Sequence, residues 1–401
     1  FRQQVVNSYF ERIFSTIRAA GATQPIKSYA GMGVGDITRM LPVYRKYGAE
    51  LCFGGGDSPV HAFLQSQARN AGVPLIGESF ALPPFSPTLQ FVMFTEIAYG
   101  AMTGGTNIMW GRHFSPGEVR TEALEASAAA ASLAKKIRSL GRSELVTANG
   151  AVMFGMLSMV NRSRSSMWID WTNLNTNGFS DALNAVIGNN LQMTFLTDAT
   201  PLEILRRNRL IVLNDSPLLR DESAFRLAEY VKTGGTLILM GEAGRFNQDG
   251  KECWTLKKSL GEEAAPGKTC RFGQGKVVWL ARPLDWNREL MPLIGANGFT
   301  RPVRPSGGAM RAALRRNETD GSYQLFLFGK TWNGGNPHAR EIAGKTVAAK
   351  VEIRLPAGTW LLTDVFDGKP LGSYTAQELS GGIELSADAG KLKMIELKRR
   401  K

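Results

Sequence analysis

One glutamate and one tryptophan-arginine-histidine segment are the residues of this chain best placed to do chemistry. Glu78 lies in PLIGES, directly after a short apolar run, and Trp110, Arg112 and His113 lie in the later segment GGTNIMWGRHF. A carboxylate at the end of a buried strand can act as a nucleophile, and a tryptophan ring can stack on a sugar ring. If the two segments are successive strands of one barrel, these side chains meet at the same end of it.

Each of these residues also has a purely structural explanation. Glu78 could be a carboxylate that backbone amides stabilise at the start of a following helix. Trp110 could fill the bottom of a barrel or pack under a loop, and Arg112 could form a salt bridge. The residue types alone leave both explanations open.

Apolar runs alternate with helical patterns between residues 26 and 140. The expected strands are IKSYAG, ELCFGG, VPLIGE and TNIMWG, and the expected helices lie near 36–47, 58–71, 88–101 and 118–140, with one more at 7–20. Such alternation predicts a parallel sheet with right-handed crossovers. We interpret it as the second half of a (β/α)8 barrel rather than an open sheet, because the runs end in Gly, Glu and Trp, where a barrel places its site.

Two further α/β and β segments follow. Buried strand patterns such as RLIVLND, GTLILMG and GKVVWLA alternate with helices at 178–189, 201–207 and 221–233, which predicts a flavodoxin-like or glutamine-amidotransferase-like layered fold. From residue 301 onward, alternating strands separated by Gly, Pro and Asp turns predict a small antiparallel β-sandwich. The expected domains are therefore 1–145, 146–300 and 301–401.

Together, these segments resemble glycoside hydrolase family 42 β-galactosidases and their relatives. The resemblance covers nearly the whole chain in architecture, and its strongest local pieces are RLIVLNDSPLLRDESAFRLAEYVKTGGTLIL and GQGKVVWL, which look like the trimerisation domain of that family. It implies a retaining glycosidase acting on β-linked galactosides or on related saccharides, neutral or anionic. Retention requires two carboxyl groups about 5 to 5.5 Å apart.

The resemblance also assigns roles to individual residues. Glu78 matches the nucleophile at the end of the seventh barrel strand, and the acid/base would lie upstream of Phe1. Trp110 and Arg112 match a Trp-Arg pair on the eighth strand, in which the tryptophan stacks on a sugar ring and the arginine orients a carboxylate or binds substrate. His113, as a polar residue at the rim, and Asp57 are further candidate substrate contacts. The segment from Phe53 to Asp57 lacks the tyrosine expected to bond the nucleophile, which leaves a non-catalytic carbohydrate-binding scaffold as the alternative.

The implied partners are a carbohydrate substrate, the other half of the barrel in the same protein or a companion chain, and further copies of this chain in a homotrimer. The segment after TLILM, Gly241 to Gly244, offers no thiol or hydroxyl, so we expect the middle domain to assemble subunits or to shape the cleft of the neighbouring barrel rather than to catalyse. Trp332, Trp360 and Tyr374 are expected to be exposed but are not spaced as a sugar platform, so we expect the C-terminal domain to serve packing.

Charge and cysteine content limit the other classes of function. The formal net charge is +13, but the basic residues are spread along the chain apart from short groups such as Arg206, Arg207 and Arg209, so we expect no nucleic-acid partner. We expect no membrane span, metal or cofactor.

Cys253 and Cys270 flank a polar excursion and could be paired or free. The chain opens with Phe1 in a helical pattern, so any signal peptide would have been removed or left out, and a periplasmic or extracellular location is slightly favoured over the cytoplasm.

Overall fold

The structure is a computed structural model. It describes residues 2–29, 37–54, 59–79, 85–100, 108–109, 114–115, 118–119, 121–162, 178–330 and 345–400. Three sheet assemblies follow one another along this chain. The elements up to residue 145 are, in chain order, α1 (Arg2–Ala19), β1 (Ile26–Tyr29), α2 (Ile37–Tyr47), β2 (Ala49–Gly54), α3 (Pro59–Ala71), β3 (Leu75–Ser79), α4 (Phe85–Tyr99), β4 (Ile108–Met109), β5 (Phe114–Ser115), β6 (Glu118–Val119), α5 (Thr121–Ser139) and β7 (Ser143–Leu145).

The first sheet contains β1, β2, β3 and β4 in that order, all parallel, as the alternation predicts. Helix α2 shows why the pattern works, because Ile37, Met40, Leu41 and Tyr44 recur on one face and are all buried. Helices α2 and α3 both end before a glycine with positive φ, at Gly48 and Gly72. Only glycine adopts this conformation without strain, so each glycine ends its helix and turns the chain into the next strand.

The second sheet has six strands in the order β12-β13-β11-β10-β8-β9. All neighbouring pairs are parallel except β12 and β13, which form a hairpin. The elements of this part are β8 (Gly150–Phe154), α6 (Met156–Arg162), α7 (Phe179–Gly188), β9 (Thr194–Thr197), α8 (Leu202–Leu205), β10 (Leu210–Leu213), α9 (Asp221–Lys232), β11 (Thr236–Met240), α10 (Thr255–Leu260), β12 (Thr269–Phe272), β13 (Gly275–Leu280) and α11 (Trp286–Ala296).

The C-terminal part is a two-sheet antiparallel assembly, with sheet orders β14-β17-β20 and β19-β18-β21-β16-β15-β7. Its elements are β14 (Val303–Pro305), β15 (Met310–Asn317), β16 (Tyr323–Gly329), β17 (Thr346–Ile353), β18 (Thr359–Asp364), β19 (Pro370–Thr375), α12 (Ala376–Gly381), β20 (Ile383–Asp388) and β21 (Leu392–Arg399). Strand β7 comes from far earlier in the chain and pairs with β15, with Ser143 opposite Asn317. The sequence pattern did not predict this strand.

Two side-chain expectations can be compared with this part of the fold. Trp360 is buried rather than exposed, because β18 turns it inward against Tyr323, with the ring centroids 5.3 Å apart. Tyr374 is only partly exposed, and Trp332 lies outside the described residues. Cys253 and Cys270 are free thiols, which favours the unpaired alternative. Among the helices that the structure describes, none is long and apolar enough to cross a membrane.

Candidate functional site

The candidate site lies at the carboxyl end of the first sheet. Glu78 is the fourth residue of the five-residue strand β3, and its backbone is in register with Gly54 on one side and Ile108 on the other. Ser79 is in register with Met109, so β4 runs beside the end of β3. Because the carboxyl ends of parallel strands meet at one edge of the sheet, β2 and β4 end at the same edge as β3 and Glu78.

The predicted substrate contacts follow these strands but lie outside the described residues. This holds for Asp57, Trp110, Arg112 and His113, and the side chain of Glu78 is also outside the described part of the structure. The structure therefore describes the backbone that carries the predicted nucleophile and the segments that precede its predicted neighbours. The roles of these five side chains stay predictions.

Helix α3, which connects β2 to β3, fixes this sheet to the second one. Its buried Gln67 donates Nε2 to the backbone carbonyl of Phe195 at 2.7 Å, and Ser66 Oγ accepts from the N–H of the same residue at 3.2 Å. Phe195 lies on β9, an outer strand of the six-stranded sheet. An outer strand presents unpaired backbone groups, and α3 satisfies two of them with side chains.

An aromatic cluster adds packing to the same contact. Phe63 on α3 lies edge-on to Phe154 of β8 and Phe179 of α7, with ring centroids 5.6 and 5.4 Å apart. Phe154 and Phe179 lie 4.5 Å apart, and all three rings are fully buried. Edge-to-face contacts of this kind add about 0.5 to 1.5 kcal/mol per pair beyond the burial of the rings. The helix before Glu78 is therefore held by both polar and apolar contacts.

Arg315 holds the helix that follows Glu78. This side chain on β15 is almost fully buried and donates to the backbone carbonyls of Ile97 at 2.8 Å and Gly100 at 3.2 Å, at the end of α4. Its other donors reach the hydroxyl and the carbonyl of Ser143 on β7. The carboxyl end of a helix carries partial negative charge, which suits a cation. Burial lowers the pKa of Arg315 to about 9, and nearby Arg69 adds to that effect.

A buried ion pair joins α9 to the same junction. Asp198, fully buried after β9, accepts from Arg220 Nη1 at 3.1 Å and from the N–H of Met156 at 3.0 Å. Burial raises the pKa of the Asp198 carboxyl, and Arg220 opposes that rise. On α9, Glu222 forms an ion pair with Arg39 of α2. Both carboxylates have arginine partners within the fold, so we assign them to the junction between the sheets.

The turn after β11, Gly241 to Gly244, is fixed by a hydrogen bond and an ion pair. The carbonyl of Gly241 accepts from Trp279 Nε1 at 2.9 Å, and Glu242 forms an ion pair with Arg245 at 2.6 Å. Within the described ranges, no group of three or more His, Cys, Asp and Glu side chains is arranged to hold a metal ion. Sequence reasoning missed one feature, a cleft lined by arginines at the other end of β3; the run Arg206, Arg207 and Arg209 was its only signal.

This fold is that of known glycoside hydrolases. The chain is similar to a catalytic mutant of Gan42B, a glycoside hydrolase family 42 β-galactosidase from G. stearothermophilus, with a TM-score of 0.68 and 13% identity, over 98% of this chain and 66% of that one. A β-galactosidase from Rahnella sp. R3 gives a TM-score of 0.67 at 12% identity, over 99% of this chain and 68% of that one. The chain thus spans about two thirds of these enzymes.

A more distant glycosidase shares part of the same architecture. α-L-Fucosidase isoenzyme 2 from Paenibacillus thiaminolyticus gives a TM-score of 0.57 at 9% identity, over 91% of this chain and 70% of that one. No protein-family model matches the sequence, and no curated protein matches it. The resemblance to family 42 enzymes, first inferred from motifs, is thus confirmed at the level of the fold.

Proposed function

We propose that this chain is part of a retaining glycoside hydrolase that acts on β-linked galactosides or related oligosaccharides, with Glu78 as the nucleophile. The observation that carries the proposal is the register of β3, which sets Glu78 at the carboxyl end of a parallel sheet, beside Gly54 and Ile108. Enzymes built on parallel barrels place their catalytic residues at this end. The similarity in fold to family 42 β-galactosidases over 98% of the chain supports the same assignment.

The mechanism that follows needs a second carboxyl group. Glu78 would attack the anomeric carbon while an acid about 5 to 5.5 Å away protonates the leaving oxygen, and the same group would then activate water. The four strands of the first sheet would form half of an eight-stranded barrel, and four more strand-helix units, in the same polypeptide or in a companion chain, would carry that acid/base. Trp110 would stack on the sugar, Arg112 and His113 would bind it, and Asp57 would contact it from the end of β2.

The test compares Glu78→Gln with Glu50→Gln in protein that contains the complete set of barrel strands. Glu50 is a carboxylate on β2 near the amino end of the sheet, opposite Lys27 on β1. We expect Glu78→Gln to abolish release of nitrophenol from aryl β-galactosides without loss of the fold, and Glu50→Gln to retain turnover. Normal turnover by Glu78→Gln would refute the assignment.

Rescue with azide separates a nucleophile from a structural carboxylate. In Glu78→Ala, azide can enter the space that the carboxylate leaves and attack the anomeric carbon once, which gives an α-glycosyl azide from a β-glycoside. Formation of that product supports the role of Glu78. Failure of azide to restore turnover, or formation of the β-glycosyl azide, contradicts it.

A non-catalytic carbohydrate-binding scaffold is the second candidate. It is favoured by Gly54, which stands opposite Glu78 and begins the run Gly54-Gly55-Gly56, where related enzymes are expected to supply a tyrosine. Calorimetry with oligosaccharides distinguishes the two functions, because a scaffold releases heat on binding without producing new reducing ends. We also propose a homotrimer assembled through the second sheet and its helices; light scattering of the purified protein measures the subunit number.

A further inference from the structure

A cleft of about 1070 Å³ lies where the three parts of the fold meet. The loop before β3 lines it through Gly72, Val73 and Pro74, and α8 with the residues that follow it lines the opposite wall. Pro74 and Glu78 are four residues apart on an extended strand, or roughly 13 Å. The cleft therefore lies at the amino end of β3, away from the candidate active site.

Arginines dominate the charge of this cleft. Arg69, Arg142, Arg207 and Arg315 line it together with only two acidic residues, Glu144 and Glu318. Burial, together with the positive charge of Arg207, lowers the pKa of Arg69 to about 10. Arg69 acts in the same way on Arg315. Arg69 is thus close enough to Arg207 and to Arg315 for their charges to repel, and an anion beside Arg69 would relieve that repulsion.

In the cavity next to this cleft, which Arg207 also lines, two arginines have acidic partners. There, Arg220 pairs with Asp198 and Arg39 pairs with Glu222. Within the part of the chain that the structure describes, Arg69, Arg142 and Arg207 form no ion pair. The Nη2 of Arg69 donates to Thr194 at 3.2 Å, whereas its Nη1 is buried and has no partner. A buried donor without a partner destabilises the fold, so a ligand that accepts a hydrogen bond from it binds more favourably.

We propose that this cleft binds a ligand that carries a tetrahedral oxyanion, a sulfate or phosphate group, between Arg69, Arg142 and Arg207. Guanidinium groups bind such oxyanions through paired, charge-assisted hydrogen bonds. The volume of the cleft is in the range of sites for small organic ligands and exceeds what one ion needs. A free ion from solution and a sulfated saccharide are the two sources of such an oxyanion, and both present the same group to the arginines.

The site joins all three parts of the fold. Arg69 belongs to α3, Arg207 follows α8, and Arg142 precedes β7, which pairs into the C-terminal sheet. A ligand that contacts all three arginines binds the folded junction and not the unfolded chain. Its binding therefore stabilises the folded protein. The proposal does not rest on the glycosidase function, since it concerns binding at the opposite end of β3 and needs no turnover.

Calorimetry with sodium sulfate, at an ionic strength held constant with sodium chloride, tests the proposal. The variants are Arg207→Met and Arg142→Met, with Arg206→Met as the matched control. All three side chains are exposed, so the fold should tolerate the changes, and Arg206 does not line the cleft. We expect one sulfate per chain, unchanged binding in Arg206→Met, and binding at least about tenfold weaker in each of the other two variants. Absence of binding, or equal affinity in all four proteins, would overturn the proposal.

A second titration identifies the source of the oxyanion. A monosaccharide sulfate that binds at least tenfold more tightly than inorganic sulfate, with the same dependence on Arg142 and Arg207, supports a sulfated saccharide. Equal affinities support a free oxyanion. Equal binding of the uncharged monosaccharide would overturn the proposal, because recognition would not depend on the anion. Glu78→Gln should bind sulfate as the unmodified protein does, so this test is independent of the catalytic assignment.

Discussion

Gln67 on α3 donates a 2.7 Å hydrogen bond to the backbone carbonyl of Phe195 on β9, 128 residues later in the chain. This bond, with the adjacent one from Phe195 to Ser66, connects the helix before the predicted nucleophile to the outer strand of the next sheet. The position of the candidate site thus depends on a contact between α3, which belongs to the first sheet's strand-helix series, and β9 of the second sheet.

Replacement of Gln67 should therefore destabilise the protein. In Gln67→Ala the buried carbonyl of Phe195 loses its short hydrogen bond, at a cost of about 1 to 3 kcal/mol in the free energy of unfolding. Asn70→Ala is the control, because its contact with the same carbonyl is 3.5 Å long and weak. Urea unfolding measures both variants. Equal losses of stability would show that the short bond has no special role.

Arg315 should be far more important for stability than its neighbour. Arg315→Met keeps the length of the side chain but leaves the carbonyls of Ile97, Gly100 and Ser143 without this donor, and we expect a loss of about 2 to 4 kcal/mol. Arg316→Met, on the exposed side of the same strand, should change stability by less than about 0.5 kcal/mol. Thermal and urea unfolding of both variants check this; a tolerated Arg315→Met would contradict it.

The contribution of Glu222 should depend on pH. A hydrogen bond from Arg39 lowers the pKa of Glu222 below its usual 4.5, and the charge of Arg39 adds to the effect. A carboxyl whose pKa is lower in the folded than in the unfolded protein stabilises the fold at any pH above its unfolded-state pKa. That contribution is lost as the pH falls through its folded-state pKa. Since the Glu222 side chain is about half exposed, the contribution should stay below about 1 kcal/mol.

The measurement is the difference in unfolding free energy between the unmodified protein and Glu222→Gln, from about pH 6 to about pH 3. We expect the difference to shrink as the pH falls. A difference that stayed constant or grew on acidification would show that the carboxylate does not act through its charge. Asp221→Asn, at the adjacent position on α9, controls for loss of negative charge at the start of this helix.

Two glycine substitutions should have opposite effects. A methyl group on Gly275, at the start of β13, would clash with the carbonyl oxygens of Val231 and Gly235. Gly275→Ala should therefore lower the free energy of unfolding by about 1 to 3 kcal/mol or more. Gly295 lies in α11 with open space around it. Because alanine has a higher helix propensity than glycine, Gly295→Ala should raise the free energy of unfolding by about 0.5 kcal/mol. Thermal unfolding of each variant decides the signs, and a stabilised Gly275→Ala would contradict the close approach.

The sequence predicted the strand-helix series of the first sheet because local signals agree there. Apolar periodicity defines α2, and Gly48 and Gly72 end their helices at the expected places. Strand β3 was recognised from a short apolar run, which is why Glu78 could be placed on a strand. The chemical role of Glu78 could not be predicted from local pattern in the same way, because that role depends on side chains from other strands.

The same reasoning missed β7 and β15 because their signals are not local. Strand β15 carries a buried arginine, Arg315. Hydrophobic patterning predicts that a charged residue such as this one is exposed. The burial becomes possible only through carbonyls of α4 and β7, which are far away in sequence. The mistaken exposure of Trp360 has a related cause, since its partner Tyr323 belongs to another strand. The arginine cleft likewise assembles residues from three parts of the chain.

The pairing of β7 with β15 has a consequence for how this protein is made. Arg315 and Ser143 are 172 residues apart, and the whole second sheet lies between them in the chain. At a translation rate of about 5 to 20 residues per second, β7 leaves the ribosome roughly 10 to 30 seconds before its partner. During that interval the second sheet can fold, but the end of α4 lacks its arginine. The junction that supports the candidate site and the arginine cleft is therefore completed only after the whole second sheet has been synthesised.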